Sequence, residues 1–153
     1  MIRGIALEIT KKLENLLEIV LEGINVLEYS WYNIESQKEA WSLTAYGEKE
    51  FLEHSLYRGG EFKSHISKKH FIIFLKLEAY LEDTKNFDIH TYREFQNSDC
   101  KILILIYDCK NIEIYVKDGE VLHSIYESIE GKDCCEIEFI TDDNDGRTLF
   151  DVI

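Results

Sequence analysis

The stretch Lys101-Ile102-Leu103-Ile104-Leu105-Ile106-Tyr107-Asp108-Cys109-Lys110-Asn111-Ile112-Glu113-Ile114-Tyr115-Val116-Lys117 decides the fold. Two β-rich runs, Lys101 to Cys109 and Asn111 to Lys117, meet at Asp108-Cys109-Lys110-Asn111, the composition of a tight antiparallel connection. The pattern predicts a hairpin. Asp118 then opens a helix in which Leu122, Ile125, Tyr126 and Ile129 form an inward stripe, and Gly131 follows the last periodic residue. An apolar stripe directly after a hairpin has to be buried, and the sheet is the surface at hand.

Upstream, Thr91-Tyr92-Arg93-Glu94-Phe95 has capping-box spacing: the Thr91 hydroxyl can accept from the Glu94 amide while the Glu94 carboxylate reaches back to the Thr91 amide. A short helix is expected there, after a polar loop from Glu82 to Asp88. Phe71 to Leu75 read as a buried strand continuing toward Tyr80, preceded by a Gly59-Gly60 turn and by Phe62 and Ile66 one helical turn apart. Residues 26 to 35 read as an aromatic-rich strand, whereas the stretch from Ser36 to Tyr57 changes period repeatedly and is assigned short strand or loop pieces. At the N-terminus a strand over residues 2 to 9 leads to Thr10, a candidate cap. A helix is expected to follow, with Leu13, Leu16, Leu17, Val20, Leu21 and Ile24 inward and Gly23 at its end. Cys135 to Thr141 and Thr148 to Val152 read as closing strands around the turn Asp142-Asp143-Asn144-Asp145-Gly146. The expected fold is α+β: a single domain over residues 1–153 with a mixed or mostly antiparallel sheet of about six strands and about three helices packed on one face.

The chain has 153 residues, no proline and no low-complexity linker, so nothing marks a boundary within it. Thirty Asp and Glu against 17 Lys and Arg give a net charge of -13, which disfavours nucleic acid and anionic membrane surfaces as partners. The basic group Arg58, Lys63, Lys68 and Lys69 is too small to alter that. Glu8 interrupts the N-terminal apolar residues before they reach export-signal length, and the longest apolar runs fall well short of the ~20 residues of a membrane span. The expected location is cytoplasmic. The cysteines at 100, 109, 134 and 135 are accordingly expected to be free thiols, with adjacent Cys134 and Cys135 on opposite faces of a strand.

No catalytic, cofactor or metal residue is assigned. An EF-hand register on Thr141-Asp142-Asp143-Asn144-Asp145-Gly146 would put Thr141 at the first ligand position and Val152 where a bidentate glutamate belongs. No two of His54, His65, His70, His90 and His123 are four apart, and Gly59-Gly60 lacks the further glycine and lysine of a phosphate cradle. Charge is more informative: from Glu113 to Asp151 there are twelve acidic residues and three basic ones. We take Glu127, Glu130, Asp133, Glu136, Glu138, Asp142, Asp143 and Asp145 as a candidate surface for a basic protein partner, with Trp31 and Trp41 as candidate aromatic anchors. The competing readings are acidity kept for solubility, and aromatic side chains kept for the core.

Several segments together resemble a family, the small acidic proteins of Bacillus-type bacteria grouped as domain of unknown function 2691. They are Arg3-Gly4-Ile5 with Glu8-Ile9, Tyr29-Ser30-Trp31, Thr91-Tyr92-Arg93-Glu94-Phe95 leading to Ser98-Asp99-Cys100, and Ile114-Tyr115-Val116-Lys117-Asp118. The closing Ile140-Thr141-Asp142-Asp143-Asn144-Asp145-Gly146-Arg147-Thr148 completes the set. The resemblance implies a single cytoplasmic bacterial domain and transfers no functional residue. Two functions are therefore weighed from the residues themselves. The first is an immunity or antitoxin-like protein whose carboxylates neutralise a basic toxin such as a nuclease. The second is a small enzyme or ligand-binding domain with a pocket of Tyr29, Trp31, Trp41 and nearby carboxylates.

Overall fold

The computed structural model describes residues 1–81 and 88–153. In chain order the elements are β1 (Ile2–Ile9), α1 (Leu16–Val20), a 3-10 turn (Val26–Glu28), β2 (Ser30–Thr44), β3 (Gly47–Glu50), β4 (Leu56–Arg58), α2 (Gly59–Ile66) and β5 (His70–Tyr80). There follow α3 (Tyr92–Asn97), β6 (Ile102–Tyr107), β7 (Asn111–Val116), α4 (Gly119–Glu130) and β8 (Cys135–Thr141). The loop expected from Glu82 to Asp88 lies, apart from Asp88, outside the described residues.

The hairpin forms as its sequence predicts, with Ile104 opposite Ile114 and Tyr107 opposite Asn111, and the tight connection is made by left-handed Asp108 (φ 53°) and Cys109 (φ 65°). Around it the strands run in the order β3-β2-β5-β6-β7-β1-β8, with β4 paired to β2 as well, and every pairing is antiparallel. The α+β class holds. The strand count among the described residues is eight rather than about six.

Alternation along β6 and β7 sends Ile102, Ile104, Ile106, Ile112, Ile114 and Val116 to one side of the sheet and Leu103, Leu105 and Tyr115 to the other. The first side is closed by Leu16, Leu17 and Val20 of α1, Phe62 and Ile66 of α2 and Leu122, Ile125 and Ile129 of α4. The second side is closed by Phe95 of α3, Ile89, and Phe150 and Val152 of the C-terminal tail. Helices were expected on one face only; α3 takes the other because the second face of the central strands is also apolar and has to be covered.

Several local expectations change: among them, residues 26–28 form the 3-10 turn so that the aromatic strand starts at Ser30, and Gly59 and Gly60 open α2 instead of forming a separate turn. The stretch with no steady period begins inside one long strand, the 15-residue β2, and only beyond Thr44 breaks into the short β3, a loop and β4. The register of β2 against β5 shifts between Asn33 and Lys38 and again between Glu39 and Ala40, and each irregularity resets which side chains face inward. The helix expected from Lys12 to Ile24 shrinks to five residues, because Thr10 lies in a loop and Asn15, left-handed at φ 56°, sets the start instead. Gly23 is not its terminus but a point of close approach to α4, where a Cβ would lie 2.5 Å from the Ser124 carbonyl oxygen. The tail from Thr148 to Val152 forms no strand: the Phe150 amide donates to the His90 carbonyl (2.8 Å) and the Val152 amide to the Gln37 side chain (2.8 Å), so its alternating apolar residues are buried without a ladder. At α3, Thr91 Oγ1 accepts from the Glu94 amide as expected (3.1 Å), while the Glu94 carboxylate takes the His90 amide rather than that of Thr91. No helix among the described residues is long and apolar enough to cross a membrane.

Gly4 fixes the insertion of β1 between β7 and β8, since a Cβ there would sit 2.0 Å from the Ile114 carbonyl oxygen. Gly4→Ala is expected to cost about 2–3 kcal/mol or more through backbone displacement. Gly60→Ala, with nothing within 4 Å of the new methyl, gains about 0.5–1 kcal/mol in the helix. Urea denaturation followed by tryptophan fluorescence checks both signs.

Candidate functional site

The β7-β1-β8 end of the second sheet face carries a row of carboxylates. Glu8 of β1 stands opposite Glu136 of β8, while Ala6 stands between Glu113 of β7 and Glu138 of β8. These positions share a face because they alternate with Leu7, Ile112, Ile137 and Phe139, which point to the helices. The small side chain of Ala6 leaves a dip between two glutamates, and shallow grooves of about 380 and 470 Å³ run along the row. Arg147 from the tail crosses one margin, pairing with Glu113 at 2.5 Å and lying 5.2 Å over the Tyr107 ring. Lys110 reaches Glu8 at 3.8 Å between exposed side chains, whereas Glu136 and Glu138 are exposed with no ion pair among the described residues.

The predicted acidic residues do not gather into one surface. Glu136 and Glu138 join the row; Glu127 and Glu130 lie on exposed positions of α4, which covers the other side of the sheet. Asp133 pairs with Lys11 (2.6 Å). Asp142 and Asp145 are held by Arg3 at 2.8 and 3.1 Å, and Asp145 also accepts from the Tyr115 hydroxyl and the Arg147 amide. The Arg3 hydrogen bond holds the Asp142 carboxyl below the usual carboxylate range. These two turn carboxylates thus anchor the turn to β1, and of the turn's acids only Asp143 is left exposed and unpaired among the described residues. Glu8 and Glu113 were missed because only the strand register brings them beside Glu136 and Glu138.

The aromatic anchors also need correction. Trp31 is 1% exposed, donates its indole N–H to the Val26 carbonyl (3.1 Å) and stacks on Phe62 at 4.5 Å, so it belongs to the core, as does Tyr29. Trp41 is half-buried on β2, distant in strand order from the acidic row. A pocket built from Tyr29, Trp31 and Trp41 is therefore not formed. All four cysteines are free thiols. Cys134 precedes β8 rather than lying within it, so its sulfur turns to within 3.9 Å of Cys135 Sγ instead of facing away. Burial, with the neighbouring Cys134, pushes the Cys135 thiol up to about 11, and burial pushes that of Cys100 up to about 12, which leaves both protonated and unreactive.

Two buried charges sit beneath the second face, and both are fully engaged. Lys76 donates to Asp88 (3.0 Å) and to the Ile89 carbonyl (2.5 Å), while Glu78 accepts from the Tyr80 hydroxyl (2.7 Å) and the Ile89 amide (2.8 Å). They tie the chain around Ile89 to β5.

The pattern of a family described as a protein of unknown function, DUF2691, matches residues 2–151. The chain belongs to this family. Within reach of it stands an uncharacterized protein of Bacillus subtilis (strain 168), YncE, which is 27% identical over 151 residues, or 98% of this chain and 99% of that protein. No solved structure matches. Family membership brings no activity with it, so function has to be argued from the surface and from the ionisable groups.

Among those groups the histidines of the first face stand out. His70 is fully buried, donates Nδ1–H to the Lys68 carbonyl (2.8 Å) and stacks on Phe51 at 4.2 Å; His65 stacks on the same phenylalanine at 4.9 Å. Burial lowers the pKa of both below the ordinary histidine value. The unfolded chain, with histidines near pH ~6.5, then binds protons that the folded chain refuses, so stability falls as pH drops below that value and levels off beneath the lowered folded pKa. Urea midpoints measured from neutral to mildly acidic pH should decline across this window. His70→Phe, which keeps a ring against Phe51, should flatten the slope; an undiminished slope in that variant would assign the effect elsewhere.

Proposed function

We propose that this protein is a binding module of the immunity or antitoxin kind, which presents the acidic row of β7, β1 and β8 to a basic protein such as a toxin with a cationic active site. The single observation that carries the reading is the in-register set Glu8, Glu113, Glu136 and Glu138, of which Glu8, Glu136 and Glu138 are exposed and Glu113 is half-buried against Arg147. Such a row resembles a phosphate backbone in sign and regular spacing, so side chains that grip phosphates would accept it. Glu136 and Glu138 have no ion pair among the described residues and stand beside Glu8 and Glu113, which only Lys110 and Arg147 offset, and a cationic partner would relieve the repulsion that is left. The chain's net charge of -13 adds long-range steering toward that partner.

The test is kinetic. Association is measured by surface plasmon resonance with the product of the gene immediately upstream and with a panel of basic nucleases. The expected on-rate falls about tenfold or more from low to high salt. It falls similarly at low salt in the Glu136→Lys/Glu138→Lys double variant. Glu127→Lys/Glu130→Lys, with the same charge change on α4, should leave most of the on-rate intact. Absence of any partner in the panel, or equal losses in both double variants, would overturn the assignment to this face.

A further inference from the structure

Beyond the end of β1 lies a cavity of about 630 Å³, within the ~300–1,000 Å³ range of small-molecule sites. Its apolar lining is Ile9, Leu13, Leu16, Leu43, Phe71 and Ile72. The walls are tied down by long-range hydrogen bonds. Asn15 receives the His70 amide on its side-chain oxygen (3.2 Å) and donates its own amide to the His70 carbonyl (3.3 Å), while Ile9 N–H is bonded to the Lys110 carbonyl (2.8 Å) and Leu43 N–H to that of Lys69 (3.0 Å). The left-handed Asn15 is what turns residues 10–15 back against β5 to close one side.

The charges at this cavity run against the sign of the molecule. Lys11, Lys12 and Lys110 line it together with Glu14 and Glu48. Glu14 is already paired with Lys69 at 3.4 Å. The ammonium groups are weakly committed: Lys11 and Lys110 make only exposed ion pairs, to Asp133 and Glu8, and Lys12 has none among the described residues. The arrangement also has a direction. Lys11, Lys12 and Lys110 come from the end of β1 and the β6–β7 turn, whereas Glu48 comes from β3, with the start of β5 between them. An anionic head would be placed at the lysines, and an apolar body would extend over Phe71 and Ile72 toward Leu43.

We infer that this cavity is a binding site for a small amphipathic anion, a carboxylate carrying an aliphatic chain, with its head on Lys11, Lys12 and Lys110. The cavity shares with the acidic row only the exposed Lys110–Glu8 pair and lies apart from Glu136 and Glu138, and a macromolecular partner is not needed to fill it.

The probe is decanoate, kept below its micellar concentration and titrated into the full chain by calorimetry and amide NMR. Decanoate should bind and shift the amides of residues 9–13, 70–72 and 109–110. Decanol should bind more weakly and decyltrimethylammonium more weakly still. Lys12→Glu/Lys110→Glu should reduce decanoate affinity by about tenfold or more, since it turns two attractive charges into repulsive ones. Leu43→Trp, which fills the apolar end while leaving the lysines, should reduce the affinity of decanoate and decanol together. Glu136→Lys/Glu138→Lys should leave decanoate binding in place, which separates this site from the proposed protein-binding face. Equal affinity for the anion and the cation, amide shifts confined to other regions, or no binding of decanoate would each overturn the inference.

Discussion

β1 can lie between β7 and β8 only because residue 4 lacks a side chain. At Gly4 the backbone of β7 comes so close that a Cβ would fall 2.0 Å from the Ile114 carbonyl oxygen. This approach seats the strand, and the alternation of β1 then follows residue by residue: Ile5 and Leu7 go to the helices, Ala6 and Glu8 to the opposite face. Arg3, next to Gly4, is thereby brought to Asp142 and Asp145, which fixes the turn after β8. The last residues of the strand and the loop beyond it form a wall of the cationic cavity. Both candidate surfaces therefore depend on one backbone contact.

The second constraint is that the central strands are apolar on both faces. β6 is buried along nearly its whole length, so neither side of the sheet centre can be left to water. Three helices satisfy one face. On the other, a six-residue helix and an irregular tail cover the centre, with Phe95 and Phe150 packed about Tyr115. That cover thins toward β8, where Glu136 and Glu138 replace apolar side chains and stay exposed. The open acidic row is the part of the second face that had no apolar surface to hide. Its exposure follows from the same rule that buries the rest.

Buried charge secures this thinner side. Lys76 and Glu78 are on the second face of β5, each bonded to the chain at Asp88 or Ile89. Removing one partner of such a set leaves an uncompensated charge in the interior, a cost that an apolar pair in the same place would never incur. The tether therefore favours one position for the chain leading into α3 over the alternatives a purely apolar contact would tolerate. On the first face, by contrast, the aromatic stack of His65, Phe51 and His70 is bound by packing, and it depends on the imidazoles staying neutral.

Much of the architecture was legible from local pattern. Residues 101–117 specify their hairpin because alternation and turn chemistry agree, and residues 118–131 specify α4 because cap, stripe and glycine agree. Where period and register parted, the pattern misled: β2 hides its inward face behind two register shifts, and Leu13 to Ile24 bury their side chains through a short helix and turns instead of a long one. For the site, the sign and the excess of charge are set by composition alone, since these are sums over residues that folding does not change. Which carboxylates stand side by side was decided only by the tertiary structure. Glu8 and Glu136 are 128 positions apart, and their neighbourhood is a property of strand order. The same holds for the cationic cavity, whose lysines at 11, 12 and 110 meet because a hairpin turn and the end of β1 share a hydrogen bond.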